Sequence, residues 1–309
     1  MPPTMPPENL AGRTVAGYRL LERIGEGGTA TVYRADHPQR GRCAVKILKE
    51  RYRADPTAVK RFLREAGFGA RVQHPNVVLT YDYGEEAGLE YLALEWADGE
   101  ALSDVVLRDG ALPQILVGRI ALQLADALTA AHEAGIIHRD LKPDNIIYNG
   151  QTQSVKLLDF GIARDAEANP SERLTRAGFF VGTLQYVAPE ALSGELVGAP
   201  ADIYSLATIT YYLLTARHPY RGKSPRELFQ QLLTEPPIPL NQAVEDLTFA
   251  PEVEAAVMTG LARDPNNRPP TARAFGEGVS AAVAAAAKTP ETKGILGALK
   301  GIVGLGKKR

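Results

Sequence analysis

The chain has 309 residues, 45% of them hydrophobic and 23% charged, and a formal net charge of −1. This is the balance of an ordinary globular protein, long enough for two domains or one large bilobal one, and near-neutrality excludes a global field that would recruit nucleic acid. The single cysteine, Cys43, excludes an internal disulfide, and no run of about 18 apolar residues marks a membrane span.

Residues 1–14, "MPPTMPPENLAGRT", are Pro-rich and polar, with neither a positive n-region nor an apolar core. They read as a disordered N-terminus and not as a signal peptide. From Tyr18 to Leu94 the chain reads mostly as short strands. "YRLLERIG" and "TATVYRAD" flank a glycine cluster, and "RCAVKIL" is β-branched and apolar. "TAVKRFLREAGFGARV", residues 57–72, has helical period, and "NVVLTYDYGE" and "LEYLALEW" return to strand. After "ADGE" the character turns helical. "LPQILVGRIALQLADALTAAHEAG" places Pro113 near its start and Gly135 at its end, and "DIYSLATITYYLLTA" is apolar nearly all round, as a buried helix is. The expectation is a β-rich small lobe over 18–94, a junction at 95–98 and a helical large lobe over 99–285. Residues 286–309 differ in composition and read as an appended tail.

Four short stretches carry chemistry. In "IGEGGTATVY", Gly25 and Gly27 lie between two strands, where glycine lets N–H groups approach a phosphate; a plain hairpin explains them equally well. A strand follows them, which argues against a dinucleotide fold. "CAVK" places Lys46 on a strand among apolar residues, where a buried ammonium needs a partner; Glu65 on the next helix is the candidate. "HRDLKPDN", residues 138–145, crowds Asp140, Lys142, Asp144 and Asn145 into one loop. In "LLDFG" a strand ends at Asp159, so Asp159 and Asn145 offer two oxygen ligands of the kind Mg²⁺ shares with phosphates.

Taken together, these stretches resemble a eukaryotic-type (Hanks-type) protein Ser/Thr kinase of the sort found in bacteria. The resemblance covers roughly residues 18–280: the Gly-rich loop at 25–32, Lys46 in "AVK", "HRDLKPDN", "DFG" at 159–161, "APE" at 188–190, "ADIYSLA" and "NNRPP" occur in the family's order. It implies an α+β, bilobal kinase fold, with a β-rich N-lobe carrying one key helix and a mainly helical C-lobe. It also implies transfer of the ATP γ-phosphate to protein Ser/Thr hydroxyls with Mg²⁺, a phosphoryl transfer governed by positioning and charge stabilisation.

By the same resemblance, Gly25, Glu26 and Gly27 cover the ATP phosphates, Lys46 holds the α- and β-phosphates and is itself held by Glu65, and Asp159 and Asn145 carry the metal. Asp140 accepts the substrate proton and Lys142 reaches the γ-phosphate, the Ser/Thr rather than tyrosine kinase pattern. Leu94 is the gatekeeper, Glu95 and Ala97 face the adenine edge through their backbone, and Val32, Ala44 and Ile147 sandwich the ring. Glu190 pairs with Arg268, and Asp202 braces the catalytic loop. Thr175 is the expected main autophosphorylation site, with Thr183 and Ser171 as further candidates, and Arg139 is the expected phosphate partner. Ile162 implies a preference for threonine as acceptor.

Three departures stand out. The third glycine of the loop is Ala30; Gly69 and Thr80 stand where apolar spine residues are usual; and Gly67 and Gly69 weaken their helix by about 0.5–1 kcal/mol each. Either neighbours such as Phe68 fill the space, or the Glu65 helix needs help to dock. A homodimer through the small lobe or a partner protein would raise activity, and so would Gly69→Leu. A pseudokinase scaffold and a small-molecule kinase are the competing readings; the filled catalytic positions argue against the first, and the long segment from "DFG" to "APE" argues against the second. Cys43 reads as a small core residue, and the five histidines show no metal-ligand spacing. In the tail, Ile295, Leu296, Leu299, Ile302 and Val303 share one helical face and Lys293, Lys300 and Lys307 another. That pattern suits weak peripheral contact with a membrane surface, against the alternative of a solvated or domain-packed tail. The implied location is cytoplasmic, with that contact at the inner membrane surface.

Overall fold

The computed structural model describes residues 8–159, 184–192 and 197–288. In the small lobe, six strands form an antiparallel sheet in the order β1-β2-β3-β4-β6-β5: β1 (Thr14–Val15), β2 (Tyr18–Glu26), β3 (Ala30–His37), β4 (Gly41–Leu48), β5 (Thr80–Glu86) and β6 (Leu89–Glu95). Alternation decides its two faces. Tyr33, Ala35, Cys43, Val45 and Ala93 pack into an outer core, and Ala30, Leu48, Leu92 and Leu94 pack inward. Cys43 is thus a core residue, and burial pushes its thiol up to about 11.

Between β4 and β5 lie α1 (Glu50–Arg53) and α2 (Pro56–Gly69). Asp55 caps α2 by accepting from Thr57 N at 2.9 Å, and Pro56 fills the first turn. Phe62 and Ala66 of α2 complete the inner core. The expected strand over 76–85 begins only at Thr80. Its first residues bond across the lobes instead: Leu157 N donates to Asn76 O at 2.8 Å and Val78 N to Leu157 O at 3.0 Å.

The expectation of disorder over 1–14 is corrected for residues 8–14; residues 1–7 lie outside the described residues. Residues 8–14 pack on the outer sheet face, where Leu10 is 2% exposed and its N–H reaches Tyr33 Oη at 3.2 Å. Glu8 ion-pairs with Arg53 at 2.6 Å. Leu10 gives this polar stretch enough apolar burial to hold it.

In the large lobe, β7 (Glu100–Ala101), β8 (Ile146–Asn149) and β9 (Ser154–Leu157) form a small sheet under the cleft, beside α3 (Leu102–Asp109) and α4 (Gln114–Glu133). Gly99, at φ +134, ends the junction, and any side chain there would overlap Tyr148 O. The remaining described helices are α5 (Pro189–Leu192), α6 (Ala199–Thr215), α7 (Pro225–Thr234), α8 (Pro251–Gly260) and α9 (Ala272–Lys288). α6 is buried nearly all round, as its sequence predicts. α4 has the length and hydropathy of a membrane span, yet its buried stripe through Val117, Ile120, Leu124 and Leu128 packs in the lobe core. Gly276 lets α9 approach α4 so closely that a Cβ would overlap Ala125. The expected tail boundary at 286 falls inside α9, which runs to Lys288; the remaining tail residues, with their amphipathic pattern, lie outside the described residues.

Candidate active site

The catalytic loop is held from below by one buried carboxylate. Asp202, in the first turn of α6 and 0% exposed, accepts from His138 N at 2.8 Å and from Arg139 N at 2.9 Å, with His132 Nε2 also at 2.8 Å. These bonds hold Arg139 at φ +63, a left-handed conformation a non-glycine residue adopts only under external constraint. His138 is fully buried; its Nδ1 accepts from Asp140 N at 3.3 Å, which leaves Nε2 to donate to Leu158 O at 3.1 Å. The imidazole therefore ties the catalytic loop to the strand that delivers Asp159.

Asp140 is oriented by its neighbours. Asn145 Nδ2 donates to Asp140 O at 2.9 Å and to its carboxylate at 3.2 Å, and Lys142 Nζ lies 3.4 Å from the same carboxylate. Asn145 sits in a 3-10 turn, Pro143–Asn145, and Leu158 N donates to Asn145 O at 2.8 Å, which brings Asp159 beside it. Asp159 has φ +41. Its carboxylate ion-pairs with Lys46 Nζ.

That pair corrects one expectation. Among the described residues Lys46 is paired with Asp159 and not with Glu65, although Glu65 faces the same cavity. An ammonium at the mouth of a cleft takes the carboxylate within reach, and the left-handed turn at Asp159 puts its carboxylate there.

A cavity of about 350 Å³ joins these groups. Gly27, Glu65, Leu94, Asp140, Lys142, Asn145 and Asp159 line it, as the sequence reading expects of one site. Lys46, Val32, Ala44, Glu95, Ala97 and Ile147 are not part of its wall; Lys46 meets it through Asp159, and Val32 stands opposite Lys46, Ala44 opposite Leu94 and Ile147 opposite Ala101. Gly25 stands opposite Val32 and Glu26 opposite Thr31 at the loop's edge. Glu95 N bonds Leu79 O at 2.9 Å, and its side chain bonds Lys156 of β9 at 2.6 Å, so the junction is tied to the large lobe.

Sequence reasoning missed the cavity's inner end, which includes Gly69, Val78, Thr80 and Leu92; the loop tip at Gly28 and Thr29, inside the expected glycine loop, also lines the cavity. The departures at 69 and 80 were a signal, read as a gap in the spine. The geometry differs. A Cβ at Gly69 would lie 3.1 Å from Thr80 Oγ1, and one at Gly67 would lie 3.1 Å from Tyr83 Oη. Both glycines seat hydroxyl side chains of β5 against α2, so the first carbon of Gly69→Leu meets Thr80 before the rest of the side chain can enter the cavity.

Glu190 and Arg268 pair as expected, through two parallel bonds of 2.6 and 2.8 Å, with Arg268 only 5% exposed. Arg268 also donates to the carbonyls of Ala262, Pro200 and Arg263, so its charge is fully served. Tyr186, in the segment leading to α5, meets His218 Nε2 at 3.0 Å, and burial pushes His218 down to about 4. Thr175, Thr183, Ser171 and Ile162 lie outside the described residues.

The donor set fits a hard divalent cation. Asn145 and Asp159 supply oxygen, and few protein ligands suffice when phosphates share the shell.

A two-lobed fold with a glycine loop above one cleft wall and an acid–lysine–amide loop below it is the architecture of the protein kinase class. Residues 18–278 match the protein kinase domain family, and the chain belongs to it. It is 38% identical to the serine/threonine-protein kinase PknB of Mycolicibacterium smegmatis over 271 residues, 86% of this chain and 42% of that protein. To pkn3 of Myxococcus xanthus it is 36% identical over 275 residues, 87% of this chain and 50% of that protein. The chain thus spans half or less of the length of these relatives. The crystal structure of the Mycobacterium tuberculosis PknI kinase domain superposes with a TM-score of 0.67 at 28% identity, covering 88% of this chain and 98% of that one.

Proposed function

We propose that the chain is an active protein Ser/Thr kinase domain, transferring the ATP γ-phosphate to hydroxyls of protein substrates. The observation that carries the reading is the convergence of Asp140, Lys142, Asn145 and Asp159 on one cavity beneath Gly27. Asp140 accepts the proton of the attacking hydroxyl, and Lys142 steadies the transferring phosphoryl group. Lys46 leaves Asp159 for the α- and β-phosphates when nucleotide enters, with Glu65 as its further partner. Mg²⁺ is the proposed metal; held by Asn145 and Asp159, it would neutralise phosphate charge.

Autophosphorylation at Thr175, threonine preference from Ile162, small-lobe dimerisation, cytoplasmic location and weak membrane contact of the tail are proposed on sequence pattern alone. Incubation with radiolabelled ATP and a generic protein, with and without Mg²⁺, tests the central reading. Label on protein Ser/Thr only with the metal present supports it. Nucleotide binding without any turnover would mean a pseudokinase scaffold.

A further inference from the structure

The glycine loop is gripped by the segment that follows β4. The β3–β4 register places Ala30 opposite Leu48, so residues 49–53 emerge directly beside the loop. Three consecutive attachments result. Lys49 Nζ ion-pairs with Glu26 Oε1 at 2.6 Å, Arg51 Nη2 donates to Gly28 O at 3.1 Å, and Lys49 N donates to Thr29 O at 2.9 Å. Arg23 adds a second cation to Glu26, and Gly27 N closes the tip onto Ala30 O at 2.8 Å. The gripping segment is itself anchored: Arg53 Nε donates to Leu48 O at 2.9 Å, and Arg53 pairs with Glu8 of the N-terminal stretch.

We propose that Lys49 and Arg51 are positioning residues for nucleotide binding. They hold the glycine loop in its phosphate-covering shape before ATP arrives, and Glu8 steadies them through Arg53. A free Gly-Gly-Thr tip would have to be ordered by the nucleotide, at a cost in backbone entropy; a loop already held avoids part of that loss. Lys49 is 16% exposed with its ammonium committed to Glu26, so it acts on the loop and not as a phosphate ligand. Ala30 in place of a third glycine fits the same design, because it is buried in the inner core and fixes one end of the tip.

The inference rests on the kinase reading, so its test measures nucleotide affinity directly as well as turnover. Mg·ATP dissociation constants and KM for ATP are compared for the wild type, Arg51→Gln, Arg51→Lys, Lys49→Met and Glu26→Gln. Arg51→Gln and Lys49→Met should each weaken ATP three- to tenfold, with kcat at saturating ATP within twofold for Arg51→Gln; Arg51→Lys should recover most of the loss. Glu26→Gln decides between mechanisms. Simple electrostatics predicts tighter ATP when an anion near the phosphates is removed, whereas a grip that needs Glu26 predicts weaker ATP. Arg51 and Glu26 are surface residues, so folding does not confound the comparison. ATP affinity unchanged within twofold in Arg51→Gln and Lys49→Met, or tighter in Glu26→Gln, overturns the proposal. A wild type that binds ATP without phosphotransfer would overturn the kinase reading and leave this binding test intact.

Discussion

The floor of the cleft and its roof are held by different kinds of bond. The floor hangs from buried, fully served charges: Asp202 beneath the catalytic loop, and Arg268 with Glu190 beneath the segment that reaches α5. The roof is held by partly exposed ties such as Lys49–Glu26 and Arg51–Gly28, and by hydroxyls resting on glycines of α2. Buried bonds cannot be exchanged cheaply, because breaking one strands a desolvated partner. Exposed ties cost little to remake. The catalytic loop is therefore locked at folding by bonds that are not remade, while the loop over the phosphates is held in shape by ties that a single surface substitution can undo.

The sharpest break is chemical. Asp140→Asn should keep the fold and ATP binding, since Asn145 and Lys142 remain, and should lose turnover by a factor on the order of 10²–10⁴. Initial-rate assays beside ATP titration check it; retention of most turnover would refute the role given to Asp140.

On the floor, Arg268→Met should leave Glu190 buried without its partner and lower unfolding stability by about 3–5 kcal/mol. Urea unfolding measures this. A loss under about 1 kcal/mol would show that the floor is no more rigid than the roof, and the contrast would fail.

Acid should strike the floor too. Burial holds His218 down to about 4, below its ordinary 6.5, so between those values the unfolded chain binds more protons than the folded one. Stability should fall as pH drops from about 6.5 to 4, by up to roughly 3 kcal/mol from this group. His218→Phe should flatten that part of the profile. A variant whose stability falls as steeply as the wild type over that window would acquit His218.

How much of this was legible in the sequence follows the same division. The floor was legible because its chemistry is local: "HRDLKPDN" carries acid, lysine and amide within one turn of chain, and the expected Asp202 brace and Arg268–Glu190 pair sit in recognisable stretches. The roof was read less well because its contacts depend on register. Nothing in "KERYR" announces that Arg51 will meet a glycine carbonyl 23 residues earlier. Leu10, alone among polar neighbours, gave no periodic signal of its burial. The sequence offered Lys46 two candidate carboxylates, and the turn at Asp159 brings that one to it.

Gly69 offers the finest test of the roof. If the glycine marked a missing spine residue, Gly69→Leu would fill space and raise activity. The geometry predicts the opposite sign: the new Cβ would sit 3.1 Å from Thr80 Oγ1, so α2 must lift from β5 or Thr80 must turn away. Overpacking of this kind costs typically 1–3 kcal/mol. Thermal unfolding should therefore show Gly69→Leu less stable, with lower basal turnover as Glu65 is carried outward. Shortening the opposing side chain should relieve the clash, so the double variant Gly69→Leu/Thr80→Ala should regain a good part of both losses. The coupling between the two sites is the informative quantity, since residues that do not touch would give additive effects. Additive losses, or activation by Gly69→Leu alone, would return the spine explanation and remove the seated hydroxyl from the account of how α2 docks.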